Sequence, residues 1–427
     1  MTDHWSNWSG SVTAQPARIA SPRDEDELRR AILAAEQVRV TGAGHSFMPL
    51  CATAGTLIRM DRYRAAIDVA PDRATAWVPA GWGLDRLTEA LWAQGLSLAN
   101  QGDINPQSLA GAMATSTHGT GVDLGSLLTQ ACGFELMLAD GSLVECGPDR
   151  NEPLYQAQRL SLGLLGVATR IRIRVVPAYH LEERVERRPL AEMAERWREL
   201  GAATRHAEFF VFTYADDVIF KTLHPVPASD WTPGRDIDES AFRRALDLGA
   251  RMPWSIPLLQ KGMMKLSGRS TTRSGPAWRI FPSERSIRFE EMEYEVPRED
   301  GMATLLDAIA HIRERRLPVA FPFEFRMTAG DDIWLSPFNR GPCASISFHQ
   351  YARMPWRELF GEIEPVLRGA AGRPHWGKRH TLDAAAIHRA YPEAARFLAV
   401  RAEADPTDRF LNAELAGLFD LRRRAGR

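Results

Sequence analysis

The sequence predicts an α+β protein, with an α/β-type domain first and a second domain of strands and helices after it. Strand-like and helix-like segments alternate from Val38 to Gln94, which is typical of α/β domains. The pattern changes at about Ala178, after Pro177 ends a strand. At 427 residues the chain is also too long for one hydrophobic core. Two domains are therefore expected.

Residues that are typical of the ends of helices and strands define the secondary structure predicted for the first part. Ser21 and Pro22 are typical of a helix cap and a first helical turn, and acidic residues follow them. Asp140-Gly141 is a strong hairpin signal. The strands predicted here are Val38–Val40, Thr56–Met60, Thr75–Pro79, Gly133–Ala139, Ser142–Cys146 and Ala168–Val176, and a helix is predicted at Leu84–Gln94.

The second part has fewer residues that mark the ends of helices and strands. Alternating apolar positions predict strands at Glu208–Tyr214, Phe321–Thr328 and Ala344–Gln350, with a helix at Asp300–Arg315. We expect Asp230–Arg285 to be irregular, because it is rich in proline and basic residues. Within it, Arg243–Arg269 mixes Met, Leu, Lys and Arg. A solvated helix face is the simplest interpretation of that range, and a membrane-surface or dimer face is the alternative.

Composition excludes several classes of protein. A net charge of −1 and the lack of a long basic run argue against nucleic acid as a partner. The four cysteines are scattered (Cys51, Cys132, Cys146 and Cys343), so neither a metal site nor a disulfide framework is expected, and a cytoplasmic location fits best. We expect no signal peptide and no transmembrane segment, because no apolar run is long enough.

The strand at Val38–Val40 leads into a turn with two glycines, Gly42 and Gly44, followed directly by His45. Glycine lacks a Cβ, so this main chain can approach a ligand closely, and successive amides can form a nest for a pyrophosphate. The turn does not match a Rossmann fingerprint, because Phe47 stands where the third glycine would be. By itself such a turn is as often structural as functional.

A stretch with scarcely any bulky side chains runs from Asn100 to Gly121. It cannot build a core, but its main chain and its hydroxyls could wrap a polar ligand. A flexible surface loop is the alternative interpretation. The hydroxyl residues are Ser108, Thr115, Ser116, Thr117 and Thr120, and a third glycine-containing turn follows at Ser161–Val167.

Two pairs of polar residues in the second part share a strand face. Glu324 and Arg326 are at i and i+2, and Ser347 and His349 repeat that spacing on the next predicted strand. They could line a polar site on one side of a sheet, although a structural salt bridge explains Glu324 and Arg326 as well. His375 and Lys378 flank Gly377, where the lysine could reach an oxyanion or simply be solvated.

Taken together, these segments resemble the aldonolactone oxidoreductases of the vanillyl-alcohol-oxidase flavoprotein superfamily, which include gulonolactone, galactonolactone and arabinonolactone oxidases and alditol oxidases. The resemblance covers nearly the whole chain. Its most specific parts are Asn7-Trp8-Ser9-Gly10 and His375-Trp376-Gly377-Lys378, and Asp405-Pro406 also belongs to it. Within the group, Arg285–Pro297 taken with Pro374–His380 is most similar to the bacterial gulonolactone dehydrogenases.

The resemblance implies an FAD-binding domain of the vanillyl-alcohol-oxidase type at 1–177. A substrate cap with a mixed sheet would span 178–370, and a C-terminal segment at 371–427 would return to the FAD domain. It implies FAD bound covalently through His45. The residues expected to bind FAD are Thr41, Gly42, Ala43, Gly44, His45, Ser46, Phe47, Gly102, Asp103, Ser108, Ala110, Gly111, Thr115, Ser116, His118, Gly119, Gly163, Gly166, Val167, His375 and Lys378.

The implied reaction is oxidation of a CH–OH group of a sugar 1,4-lactone, with hydride transfer to flavin N5. Lys378 would stand at the N1/C2 edge of the flavin, Glu324 and Arg326 would orient the substrate, and His349 is counted with them as catalytic. The group that takes the proton is left open. The exact lactone and the oligomeric state are also left open.

Electrons would pass to oxygen or to another acceptor, a protein or a dye. Gly102 would lie near C4a of the flavin and leave a path for oxygen, which favours an oxidase over a dehydrogenase. An alditol oxidase acting on polyols is the alternative enzyme, but Asp103 stands where those enzymes have serine. A flavin- or sugar-binding protein without turnover is the alternative outside enzymes, and the joint presence of Lys378, Glu324 and Arg326 argues against it.

Overall fold

A computed structural model of the chain describes residues 4–233, 239–266, 270–283 and 286–421. Arg269 and Arg285, which end ranges discussed above, lie outside the described residues. The first part contains a parallel three-stranded sheet and an antiparallel five-stranded sheet. In spatial order, the first sheet is Arg18–Ala20, Thr56–Arg59 and Val38–Thr41, and the second is Leu143–Cys146, Ala131–Met137, Val167–Arg174, Thr75–Pro79 and Asp68–Val69. Two small pairs join Trp5–Ser6 to Thr13–Ala14 and Leu96–Ser97 to Val176–Pro177.

The α+β class is confirmed, and the alternation that predicted an α/β domain is right for the parallel sheet. The larger sheet is antiparallel throughout, and the predicted hairpin at Asp140-Gly141, with Gly141 at φ +82°, forms one of its four strand pairs. Helices at Glu25–Leu33, Leu84–Trp92, Leu109–Ala114 and Glu152–Gln158 and a 3₁₀ turn at Leu127–Gln130 complete this part.

Two predictions for this part were wrong in detail. The first helix begins at Glu25 rather than after Ser21, because the carboxylate of Asp24 accepts a hydrogen bond from the Glu27 amide at 2.9 Å and caps it. The segment from Asn100 to Gly121 is not all loop. Ser108 caps the short helix Leu109–Ala114, and Leu109, Ala112 and Met113 belong to a hydrophobic core, so the prediction that this stretch cannot build a core was wrong.

The second part is built on one eight-stranded sheet, and all of its neighbouring strands are antiparallel rather than mixed in direction. Its order is Ser270–Pro276, His180–Pro189, Asp217–Val226, His206–Val211, Phe323–Thr328, Cys343–Tyr351, Phe289–Pro297 and Arg373–Pro374. Two pairs of neighbours are also consecutive in the chain: His206–Val211 with Asp217–Val226, and Phe323–Thr328 with Cys343–Tyr351.

The two faces of this sheet differ in polarity because side chains alternate along each strand. Phe323, Phe325 and Met327 join the apolar cluster under three helices, whereas Glu324 and Arg326 point to the opposite face. The helices on the apolar face are Leu190–Ala202, Gly301–Arg315 and Trp356–Gly369. The opposite face is buried as well, and it carries the polar residues described below.

The predicted irregularity of Asp230–Arg285 was wrong for most of its described residues. Helices occupy Glu239–Arg251 and Ile256–Leu266, a strand follows at Ser270–Pro276, and a short helix at Ala277–Ile280. Pro253 lies at the start of a 3₁₀ turn and Pro257 in the first turn of a helix, where a missing amide proton costs nothing. In this range the two prolines therefore mark the first turns of helices rather than irregular structure.

The C-terminal helices Ala384–Ala390, Ala394–Ala404 and Ala413–Leu418 pack against the first part of the chain. Phe397, Leu411 and Phe419 belong to the same apolar cluster as Val78 and Phe134 of the five-stranded sheet. No helix in the described part is long and apolar enough to cross a membrane.

Candidate active site

A cavity of about 360 Å³ lies between the glycine turn at 42–44, the helix after Ser108 and the turn at 161–167. Its volume is within the range of small-molecule and cofactor sites. Predicted FAD-binding residues in its wall are Thr41, Gly42, Ala43, Gly44, His45, Ser46, Ser108, Ala110, Gly111, Thr115, Gly163, Gly166 and Val167. The other predicted FAD-binding residues are not in this wall: Phe47, Gly102, Asp103, Ser116, His118, Gly119, His375 and Lys378.

The glycine turn needs glycine for packing and for conformation. A Cβ on Gly42 would collide with the side chain of Ser108, and Gly44 has a φ of +71°. The N-terminal motif holds this turn from outside: the side-chain amide of Asn7 donates to the carbonyl of Ser46 at 3.1 Å, and the Trp8 amide donates to the carbonyl of Gly44 at 2.8 Å. Two separate parts of the resemblance, Asn7-Trp8-Ser9-Gly10 and the glycine turn, thus meet in one structure.

His45 lies in the cavity wall, and its ring stacks on Trp8 at 5.4 Å between centroids. Burial lowers the pKa of His45 to about 4, and the nearby Lys378 lowers it further than Glu291 raises it. The imidazole is therefore neutral near neutral pH. A neutral imidazole keeps a lone pair on one nitrogen.

Arg39 anchors the far end of the cavity, and sequence reasoning missed it. Its guanidinium is buried and donates to main-chain carbonyls of Leu50, Leu162, Gly163 and Phe410. Burial lowers the pKa of Arg39 to about 10, still far above neutrality. One charged side chain thus joins three distant segments, including the C-terminal tail. The alternation in Val38-Arg39-Val40 hides this role, because it predicts a solvent-facing side chain at Arg39, which the fold instead buries.

The segment at 100–121 contributes buried polar atoms. Within the described part of the chain, Ser116 Oγ, Thr117 Oγ1 and Gln107 Oε1 have no hydrogen-bond partner. Buried polar groups are almost always paired, so these atoms fit a polar group held by this segment. Close packing explains the glycine at position 102, because a Cβ on Gly102 would lie 3.0 Å from the His118 carbonyl oxygen.

Beyond the wall at His45 lies a buried charged cluster, built mainly on the polar face of the eight-stranded sheet. We define it as Asp103, His118, Glu208, Lys221, Glu291, Glu293, Glu324, Arg326, His349 and Lys378. The amide of Phe47 donates to the carbonyl of Gly377 at 2.7 Å and joins this cluster to the glycine turn. Lys378 lies over the Phe47 ring at 5.4 Å.

Lys378 is held by two carboxylates. Its Nζ is 2.5 Å from Glu291 Oε2 and 3.7 Å from Glu293 Oε2. Burial alone would raise the pKa of Glu291, but Lys378 and His349 outweigh it and lower the pKa to about 2. Glu291 is therefore ionised. His349 Nε2 faces Glu291 Oε1 at 3.4 Å, and its Nδ1 donates to the carbonyl of Pro322 at 2.9 Å.

His118 and His375 lie beside Lys378, Glu291 and Glu293 rather than in the cavity wall. His118 Nε2 is 2.6 Å from Glu293 Oε1, and its pKa is raised because Glu293 and Glu295 outweigh the lowering effect of burial. His375 Nδ1 accepts the Gly377 amide at 3.0 Å, and burial lowers its pKa to about 3. His375 thus shapes the turn that presents Lys378.

The other half of the cluster surrounds Arg326. The guanidinium donates to Glu324 Oε1 at 2.6 Å and lies 3.3 Å from Glu208 Oε2 on the neighbouring strand. Lys221 Nζ is 2.8 Å from Glu208 and 3.8 Å from Asp103. Burial, aided by Asp103, raises the pKa of Glu208 to about 7. The predicted pair is thus part of a larger network rather than an isolated salt bridge.

Sequence reasoning missed Glu208, Lys221, Glu291 and Glu293 as site residues. A usable signal existed for the last two, because Glu291, Glu293 and Glu295 alternate with apolar residues along one strand. Pairing then brings Glu291 opposite His349, Glu293 opposite Ser347, and Ser347 opposite Glu324. Nothing in the local sequence indicates the partners of Lys221.

Comparison with known proteins agrees with this arrangement. A family model described as "D-arabinono-1,4-lactone oxidase" matches residues 171–417, and one described as "FAD binding domain" matches residues 16–147. The chain is 38% identical to an L-gulono-1,4-lactone dehydrogenase of Mycobacterium tuberculosis, over 96% of this chain and 98% of that protein. It is 28% identical to the L-gulonolactone oxidase of Bos taurus, with 97% of each chain covered.

More distant matches extend the comparison. An alditol oxidase of a Streptomyces species is 29% identical, over 97% of this chain and 98% of that protein. Among solved structures, cholesterol oxidase from B. sterolicum superposes with a TM-score of 0.82 at 16% identity, over 98% of this chain and 97% of that chain, which shows a shared fold. The chain is an FAD-linked oxidoreductase and belongs to the D-arabinono-1,4-lactone oxidase family.

Proposed function

We propose that this chain oxidises a CH–OH group of a sugar 1,4-lactone, with FAD in the cavity and the lactone against the charged cluster. The main support is that half-buried Lys378 adjoins the cavity wall at His45: the amide of Phe47 donates to the carbonyl of Gly377 at 2.7 Å, and the charge of Lys378 lowers the pKa of His45. The names of the relatives, which act on gulono- and arabinono-lactones and on alditols, support a polyhydroxylated substrate. The FAD, when bound, supplies the acceptor for the hydride.

The residues that fit FAD are those of the cavity wall together with the unpartnered hydroxyls of Ser116 and Thr117. Lys378 presents a fixed positive charge at the end of the glycine turn, where negative charge that develops during oxidation would be stabilised. Arg326 and Glu324 are ionic and hydrogen-bonding groups suited to hold the hydroxyls or the carbonyl of a lactone. Lys221 and Glu208 keep Arg326 in position.

We assign the proton acceptor to His349. Its Nδ1 donates to the carbonyl of Pro322, so Nε2 is the ring nitrogen that can take a proton from the substrate. Glu291, 3.4 Å away, would stabilise the imidazolium that forms when Nε2 takes the hydroxyl proton. A polyol would meet the same groups, so an alditol remains the second candidate substrate. Anaerobic mixing with L-gulono-1,4-lactone, D-arabinono-1,4-lactone and xylitol tests the proposal: bleaching of the flavin by neither lactone would overturn it.

We also propose that FAD is attached covalently through His45. A neutral imidazole in the wall of the cavity supports this, because only the unprotonated ring is nucleophilic. Acid-precipitated and washed protein should stay yellow and carry the mass of about one FAD. His45→Ala should release its flavin on precipitation, whereas His388→Ala, with a histidine on a C-terminal helix, should keep it. A colourless wild-type pellet would refute the attachment and leave FAD binding intact.

For the electron acceptor we propose oxygen, with hydrogen peroxide as the product. The names of the bovine and Streptomyces relatives support an oxidase, and the name of the mycobacterial relative supports another acceptor. Gly102→Val would be a poor test of an oxygen path, because its Cβ would press on the carbonyl of His118. Reoxidation of the reduced wild-type enzyme in air is the direct measurement, and reoxidation taking minutes would refute the oxidase.

We propose the domain division 1–177, 178–370 and 371–427 for this enzyme, and a cytoplasmic location. The packing of the C-terminal helices on the first part supports that division, although Arg373–Pro374 pairs with the eight-stranded sheet. The absence of any disulfide among the four cysteines, all within the described residues, supports the location. Truncation before residue 371 that leaves the flavin content and the melting temperature of the protein unchanged would contradict a tail that completes the FAD domain.

A further inference from the structure

The helices Glu239–Arg251 and Ile256–Leu266 form a pair whose outer side is strongly apolar. Seven large hydrophobic side chains are exposed in the described part of the chain, and five of them belong to this pair and its connection. They are Leu248 (40% exposed), Met252 (36%), Trp254 (73%), Leu258 (68%) and Leu266 (88%). Scattered exposed apolar residues are ordinary, but a concentration of this kind marks an interaction surface.

The inner side of the pair is firmly anchored, so the exposed residues are not required by the core. Leu246 and Ile256 pack in one apolar cluster with Phe289 and Phe321. Gln260 is buried, where it accepts the Tyr214 amide at 2.8 Å and donates to the carbonyl of Val319 at 2.7 Å. These contacts fix which side of each helix faces outward.

The charge on the outer side is positive. Between Glu239 and Leu266 the chain has five basic and two acidic residues, and no acidic residue follows Asp247. Asp247 accepts hydrogen bonds from Tyr351 at 2.7 Å and Arg353 at 2.8 Å, so a cation opposes it. The exposed basic side chains beside the apolar residues are Arg244, Arg251, Lys261 and Lys265.

We propose that this helix pair docks on an anionic lipid bilayer. Interfacial helices typically expose Trp and Leu next to Lys and Arg and have few acidic residues on that side. The apolar side chains enter the interface, and the cations contact phosphate and carboxylate groups of the lipids. A second copy of this chain fits less well. Pairing this face with itself would bring like charges together, and cores of protein interfaces are depleted of charge.

Co-sedimentation of the intact holoenzyme with vesicles tests the proposal. We expect binding to vesicles of phosphatidylcholine mixed with phosphatidylserine, and binding to pure phosphatidylcholine that is about tenfold weaker or more. Trp254→Ser/Leu258→Ser should lose about tenfold or more in affinity, and so should Lys261→Glu/Lys265→Glu. Leu33→Ser removes an exposed leucine (48% exposed) from a distant helix and should bind as the wild type does.

Two further measurements keep the test decisive. Turnover with a soluble dye acceptor and the melting temperature should be the same in all of these variants, since none of the changed residues lies in the cavity wall or the charged cluster. Wild type that ignores anionic vesicles would overturn the proposal. The proposal would also be overturned if the wild type is a dimer without lipid and Trp254→Ser/Leu258→Ser is a monomer. A second copy of the chain would then be the partner of this surface.

Discussion

Replacement of Lys378 by Met separates a catalytic role for this residue from a structural one. The ammonium group is 2.5 Å from Glu291 and 3.7 Å from Glu293, two carboxylates that are almost fully buried. The pKa of Glu291 is about 2 instead of 4.5, which corresponds to about 3 kcal/mol of stabilisation of its ionised form. This stabilisation is present above pH 4.5 and is lost as pH falls through about 2.

We therefore expect Lys378→Met to lower the free energy of unfolding by about 3 kcal/mol near neutral pH, because Glu291 is left buried without its main cation. Adding Glu291→Gln should restore most of this loss, because the uncompensated charge is then gone. Glu293 keeps His118 as its partner at 2.6 Å in both variants. Urea unfolding of the holoenzyme measures the three values, and Lys261→Met serves as the control for an exposed lysine.

The rate of flavin reduction should behave differently from stability. Loss of one preorganised positive charge costs about 10²-fold or more, and Lys378→Met/Glu291→Gln should stay slow although it is stable. Anaerobic stopped-flow absorbance measures the rate at saturating lactone. A double variant that reduces its flavin at the wild-type rate would remove Lys378 from the reacting site, and a single variant as stable as wild type would refute the buried ion pair.

Three further results are expected. The free energy of unfolding of wild type should fall between about pH 5 and pH 8, because the pKa of Glu208 is raised to about 7 and its buried carboxyl must ionise over this range. Glu208→Gln should remove about 3 kcal/mol of that fall, and urea titrations at both pH values measure it. Arg39→Met should lower stability by about 3–5 kcal/mol and weaken flavin retention, since buried carbonyls lose their donor, whereas Arg18→Met on an exposed position of the same sheet should do neither. Arg326→Ala should lower kcat/KM for a lactone more than Arg184→Ala, whose guanidinium is exposed; equal values would place the substrate elsewhere.

Local patterns were informative where main chain lines the cavity or packs closely. The turn at 42–44 and the segment at 100–121 needed residues without bulk, and such residues are visible in a sequence without any knowledge of their neighbours. Strand alternation also predicted that Glu324 and Arg326 share a face, and the structure confirms that both lie on the polar side of the sheet. The hairpin at Asp140-Gly141 is confirmed for the same reason, since its geometry depends on two adjacent residues.

Patterns failed where a residue's role depends on a partner far along the chain. Pro253 and Pro257 suggested irregular structure but begin helical turns, because the apolar cluster with Phe289 and Phe321 holds those helices in place. Lys221 shows no local sign of function. Its charge matters because pairing of three strands places Glu208 between Lys221 and Arg326, and the fold brings Asp103 within 3.8 Å of Lys221.

Residues that are neighbours along the chain were enough to predict the α+β class, the segments poor in bulky side chains that suit FAD, and the motifs of the family. The fold was needed to show that Asn7 holds the turn beside His45, that Arg39 joins the cavity to the C-terminal tail, and that Glu291 and Glu293 enclose Lys378. These contacts join segments separated by tens to hundreds of residues. Their charges become strong only when folding removes water from between them, and that burial is a property of the packed chain rather than of any stretch within it.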